Sequence, residues 1–162
     1  MAALQPQEKK MRAAFALGFA ALLVPLAALA DPPDACSIVT LAEVNSIASG
    51  AATKVLVAKS GNPSECQFVG EHQAAVLVVT MRQVQYAAEN ELQGDRETLE
   101  KIYKAHAKWI DGVGEHAFWM AATHQLEFRK AKTLVTVRFV REKNRNELDN
   151  AQLARLIEAR LK

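Results

Sequence analysis

Two cysteines, Cys36 and Cys66, fix one point of the fold before any secondary structure is assigned. If they pair, the segment ahead of the first helix lies against residues thirty positions later, within the short reach of a disulfide. Pairing depends on compartment, because disulfides persist in exported proteins and thiols in a reducing cytosol. The residues ahead of Cys36 speak to that. Lys9, Lys10 and Arg12 form a basic start, and an apolar run follows from Ala13 to Ala30. The run ends in Ala28-Leu29-Ala30, the small-x-small pattern of a signal-peptidase site, and turns polar at Asp31. A membrane-spanning helix is the competing reading, since 18 apolar residues approach the length that crosses a bilayer. Pro25 and the small-residue ending favour cleavage over anchoring.

The expectation is a cleavable signal peptide over 1–30 and one domain over 31–162, periplasmic or secreted, with no transmembrane span after processing. Met11-Arg12 is itself a compact signal start, so translation from Met1 and from Met11 both stay open. In an exported chain an even cysteine count predicts the Cys36–Cys66 bridge. Closing that loop is worth roughly 3–4 kcal/mol in the chain-entropy model. Two alternatives compete. A lipid-bearing cysteine would follow the apolar run directly within a small-residue box, whereas Pro32, Pro33 and Asp34 intervene before Cys36. A zinc site would need more thiolates or closely spaced histidines.

The leader also changes the charge argument. The chain carries 20 basic and 18 acidic residues; three basic and one acidic fall in the first 30, leaving 17 of each. A neutral mature domain offers no electrostatic reason to invoke nucleic acid.

Along the mature chain, Thr40-Leu-Ala-Glu43 is a capping box that opens a helix striped with Leu41, Val44 and Ile47 and stopped by Gly50. Lys54–Lys59 reads as a strand, SGNPSEC as a turn-rich connector, and Gln67–Val69 as a second strand. Ala74–Met81 is apolar at every second position on both faces, which suits a central strand covered on both sides. The stretch from Gln83 to Ala107 is helical in composition, with Gly94-Asp95 expected to divide it; Asp95 would cap a second helix striped with Leu99, Ile102 and Tyr103. Three strands follow, Ala117–Ala121, Gln125–Lys130 and Thr133–Arg141, the last two alternating between a buried and a wet face. A final helix, roughly Glu147 to Leu161, carries Leu153, Leu156, Ile157 and Leu161.

This order predicts an α+β domain with a single antiparallel sheet and helices packed on it. It resembles the PsbP-like domains. Cys36-Ser-Ile-x-Thr40, Gly50, Cys66 after a Gly-containing turn, and Gly112-Val-Gly-Glu-x-Ala before a strand are similar to marks of small exported bacterial domains of unknown function, among them an actinobacterial lipoprotein family. The resemblance implies a fold and a compartment. It supplies no catalytic residues, and this chain lacks the lipid-bearing cysteine.

Candidate chemistry is sparse, and no cofactor motif is present. In WIDGVGEHAFW, residues 109–119, Gly112 and Gly114 serve a turn, and a lone G-x-G lacks the flanks of a phosphate loop. His116, His124, Asp111 and Glu115 could hold a divalent ion only without any recognised spacing, and His72 and His106 stand apart. No serine lies in a G-x-S-x-G elbow. Two features suit a partner surface better. Trp109 and Trp119 flank the turn, and adjacent Phe118 and Trp119 must point to opposite faces of one strand. Arg129, Lys130, Arg138 and Arg141, with Lys132, Lys143 and Arg145 beside them, make the last hairpin basic. Each has a plainer reading: a helix packed over the aromatic face, and a solvated edge guarded against strand pairing. The reading is an exported, non-catalytic accessory or binding module of the cell envelope, meeting an envelope protein or a small apolar ligand. An envelope hydrolase or metal-dependent enzyme with an unrecognised site is the alternative.

Overall fold

The computed structural model describes residues 32–85 and 87–162, so the leader expected over 1–30 lies outside them. Seven strands form one antiparallel sheet: β1 (Lys54–Lys59), β2 (Ser64–Val69), β3 (Ala75–Gln83), β4 (Lys108–Trp109), β5 (His116–Met120), β6 (Gln125–Lys130) and β7 (Thr133–Phe139). Their spatial order is β1-β2-β3-β7-β6-β5-β4. Two meanders therefore meet at the β3–β7 pair. The connection between them is helical and carries the chain from the middle of the sheet to its far edge. The helices are α1 (Ala35–Ile38), a single turn, α2 (Leu41–Ala48), α3 (Ala88–Tyr103) and α4 (Glu147–Glu158). Among the described residues no helix is long and apolar enough to cross a membrane.

Alternation along the strands assigns the two faces. Phe68 of β2, Leu77, Val79 and Met81 of β3, Val135, Val137 and Phe139 of β7, and Leu126 and Phe128 of β6 point to one side, where α1, α2 and α4 close the main core. Buried side chains of this size each contribute roughly 1.5–3 kcal/mol, so this layer dominates stability. Phe118, Met120 and Leu134 point to the other side and form a smaller cluster under α3 with Leu92 and Ala88. That helix lies over β5, β6 and β7 and leaves the β1–β2 end of the same face open.

The amino-terminal helices are set by side-chain caps. Asp34 accepts from the Cys36 amide at 3.0 Å. The capping box at Thr40 forms in full: the Glu43 amide donates to the Thr40 hydroxyl at 3.3 Å, and the Thr40 amide donates to the Glu43 carboxylate at 2.9 Å. Helix α2 ends on Ser49 and Gly50, both with positive φ. Cys36 and Cys66 are bonded, joining α1 to β2 with a Cα–Cα distance of 5.0 Å. Two asparagines imitate strand pairing where strands begin or end. Asn45 exchanges two 2.8 Å bonds with the backbone of Ala52, and Asn62 exchanges two 2.9 Å bonds with Gln83.

Four expectations are corrected. The helical stretch is not divided at Gly94-Asp95: α3 runs unbroken through both, and Ile102 and Tyr103 are exposed rather than inward. The hairpin of β6 and β7 is internal to the sheet, so it guards no edge. Nor is its second face simply wet, because α3 covers part of it. Strand β2 begins at Ser64, three residues ahead of the expected Gln67.

Candidate functional site

Helix α3 faces the sheet with Ala88, Leu92, Asp95 and Leu99, spaced four, three and four residues apart as one helical face requires. Leu92 and Ala88 bury on the sheet and Leu99 packs beside them. Asp95 is the polar member of that stripe. Beneath it runs a row of side chains paired in register across four strands: Phe118 of β5, Glu127 of β6, Thr136 of β7 and Thr80 of β3. Helix and row enclose a cleft of about 290 Å³ whose lining also includes Arg82, Thr98, Gln125, Leu134 and Pro63.

The carboxylates in this cleft are treated differently by their surroundings. Asp95 takes the Arg82 guanidinium as its partner, and Glu91 lies 3.7 Å from the same guanidinium. Glu127 is only 5% exposed, and among the described residues it makes no ion pair. Burial, then the hydrogen bond and charge of Asp95, push its carboxyl up to about 9; Arg82 and the Thr136 hydroxyl oppose this only in part. Glu127 therefore stays protonated at neutral pH. From about pH 4.5 to about 9 the folded chain holds this proton and the unfolded chain does not, so the group's contribution to stability falls as pH rises across that window.

The cleft offers three threonine hydroxyls, an amide, a guanidinium and two carboxyls, with Leu99, Leu134 and Pro63 as its apolar lining. No serine or cysteine nucleophile lines it, and among the described residues no cluster of His, Cys, Asp and Glu is arranged to hold a metal ion.

The side chains expected at a partner surface are dispersed. Trp119 is 7% exposed and packs in the main core, while Trp109 pairs with Phe118 and so lies on the opposite face. The two tryptophans cannot form one patch. Trp109 stays half exposed, edge-on to Phe118 with ring centroids 6.3 Å apart, and the Arg96 guanidinium sits 5.2 Å from its ring. Of the basic residues, Arg129 is paired with Glu115 at 2.8 Å and Lys130 with Glu158 at 3.3 Å. Arg141 donates to the Ala48 carbonyl at 2.7 Å, closing the end of α2. Arg138 remains exposed. Strand alternation places Arg129 and Lys130 on opposite faces, so the cluster is no continuous surface.

Backbone geometry and hydrogen bonds shape the turn of residues 110–115 between β4 and β5. Gly112 and Gly114 both have positive φ, Val113 between them is buried, and the Glu115 amide donates to the Arg129 carbonyl at 2.8 Å. The Glu115 carboxylate also accepts from the Ala131 amide at 2.9 Å, bracing the β6–β7 connection. His116 lies 3.9 Å from Glu89 and shares no site with His124.

Asp95 and Glu127 escaped the sequence reading for related reasons. Asp95 looks like a helix cap beside a glycine. Glu127 stands between Leu126 and Phe128, which reads as the wet side of an alternating strand. The available signal was the continuous spacing Ala88, Leu92, Asp95, Leu99, which puts an acid on the inward face. Comparison with family models, characterised proteins and solved structures finds no match for this chain.

Proposed function

We propose that this chain is an exported, PsbP-like α+β domain that serves as a non-catalytic binding module of the cell envelope, with the Asp95–Glu127 cleft as its ligand seat. One observation carries the reading: the Glu127 carboxyl, almost wholly buried and in no ion pair among the described residues, lines an open cleft. Burying such a group costs stability, and a site that a ligand completes is a physical reason to keep it. The leader and the disulfide support export. The mixed lining favours a small polar ligand over the apolar one that paired tryptophans would have anchored.

A hydrolase is the second reading, because two carboxyls side by side in different surroundings, Glu127 buried and Asp95 held by Arg82, match the requirements of acid–base catalysis. The two are separable. The protein purified from an exporting host is melted with panels of small ammonium, carboxylate and polyol compounds, in parallel with Thr98→Trp, which fills the cleft from an exposed position. At least one class should raise the melting temperature of the wild type and not of Thr98→Trp. If no class separates the two proteins, the cleft is not a ligand seat. Steady turnover of an ester or glycoside, lost in Glu127→Gln, would instead establish the hydrolase.

A further inference from the structure

We infer that the ligand of this cleft is a small organic ammonium ion, a primary amine on a short aliphatic stem, seated against the Glu127 and Asp95 carboxyls. The inference rests on the binding-module reading and adds the chemistry of what is bound. Three features support it. The cleft is rich in acceptors: the hydroxyls of Thr80, Thr98 and Thr136, the Gln125 carbonyl and two carboxyls line it. Its one obligate donor, Arg82, is already engaged by Asp95 and Glu91. An ammonium brings three N–H donors and no acceptor, so it complements that set where a carboxylate or phosphate would not. The apolar lining of Leu99, Leu134 and Pro63 suits a few methylene groups.

Charge decides between an amine and a neutral polyol. With Glu127 ionised, the two carboxylates and the single guanidinium that line the cleft would leave one negative charge in a confined space. The protein alone resolves this by keeping a proton on Glu127. An ammonium supplies the missing cation, so binding releases that proton to solvent and converts a neutral acid into an ion-paired carboxylate. Other charged and titratable groups on the same sheet face and helix are committed or lie outside the lining. Arg129 is paired with Glu115, Arg96 with Glu100, and His116 lies beside Glu89. Arg138 is exposed and does not line the cleft.

Calorimetric titration of the purified full chain with 1,4-diaminobutane, and with butane-1,4-diol as its uncharged counterpart, tests the assignment. The diamine should bind and the diol should not. At pH 7, buffers of different ionisation enthalpy should report release approaching one proton per diamine. Apparent affinity should rise by up to about tenfold per pH unit toward pH 8.5, while the amine, with a pKa near about 10.4 as for lysine, remains charged. Glu127→Gln should weaken binding more than about tenfold and remove its pH dependence, and Thr98→Trp should block it with the fold intact by melting. Diol binding equal to diamine binding, blocked by Thr98→Trp, would leave the binding module standing and overturn the ammonium. So would binding of the diamine without proton release. Diamine affinity unchanged in both variants would place any amine site elsewhere on the protein. Absence of any diamine binding rejects the ammonium outright.

Discussion

Gly112 and Gly114 stand two residues apart in one turn, share positive φ, and are held to glycine by different forces. A Cβ on Gly112 would meet nothing within 4 Å, so a side chain there bears only the left-handed backbone, about 1–2 kcal/mol. A Cβ on Gly114 would lie 2.4 Å from the Arg129 carbonyl oxygen and 2.9 Å from the Phe128 ring. The cause is the hydrogen bond from the Glu115 amide to that carbonyl, which draws the turn onto β6. Gly114→Ala should therefore lose roughly 1–3 kcal/mol more than Gly112→Ala, by analogy with an overpacked core. Urea unfolding of the two variants measures the difference. Equal losses would mean that close approach is not what selects glycine at 114. The sequence shows that both positions suit a turn. It does not show which one another strand presses against, because Arg129 and Phe128 reach the turn only through sheet pairing.

At the level of elements, what was legible followed from short-range chemistry. The capping box fixed the start of α2, and the spans of β1 and β6 match the expected Lys54–Lys59 and Gln125–Lys130. Legibility failed where packing overrode a local signal. Gly94 lowers helix propensity and Asp95 prefers a cap, yet α3 continues through both because Leu92 and Leu99 anchor it on either side and Arg82 holds Asp95 inward. The candidate site depends on that continuity, so it could not be read before the helix was. Helix α2 also carries a device that joins local and tertiary structure. Glu43 closes the capping box and meets Arg160, beyond the end of α4. Its carboxyl is held down at about 2, first by Arg160 and then by the backbone and hydroxyl of Thr40. The stability it lends is present above about pH 4.5 and is lost as pH falls toward about 2. Glu43→Ala should cost about 1–2 kcal/mol, the usual loss of a cap. Arg160→Ala should cost less, because exposed ion pairs are worth little. Chemical denaturation of both single variants and the double variant separates the two contributions. An Arg160→Ala loss as large as that of Glu43→Ala would make the tie between helices, and not the cap, the main role of Glu43.

For the whole molecule, the single covalent cross-link decides how an otherwise ordinary core is held. The Cys36–Cys66 bond encloses α2 and β1, with α1 at its start and β2 at its end. Elsewhere α1 reaches β2 through Ala35, whose amide donates to the buried Ser64 hydroxyl at 3.0 Å. Sheet order does not need the bond, since β1 and β2 pair along most of their length and β2 pairs with β3. The cross-link therefore acts mainly on the unfolded chain, by shortening a loop of 30 residues, and should be worth about 3–4 kcal/mol. The double variant Cys36→Ala/Cys66→Ala should keep the far-ultraviolet spectrum of the native domain and melt roughly 10 °C lower. Residues 32–162 made in a reducing cytosol should show the same deficit, and oxidation after purification should restore it. A melting temperature unchanged by the double substitution would mean that the loop is already ordered in the unfolded ensemble.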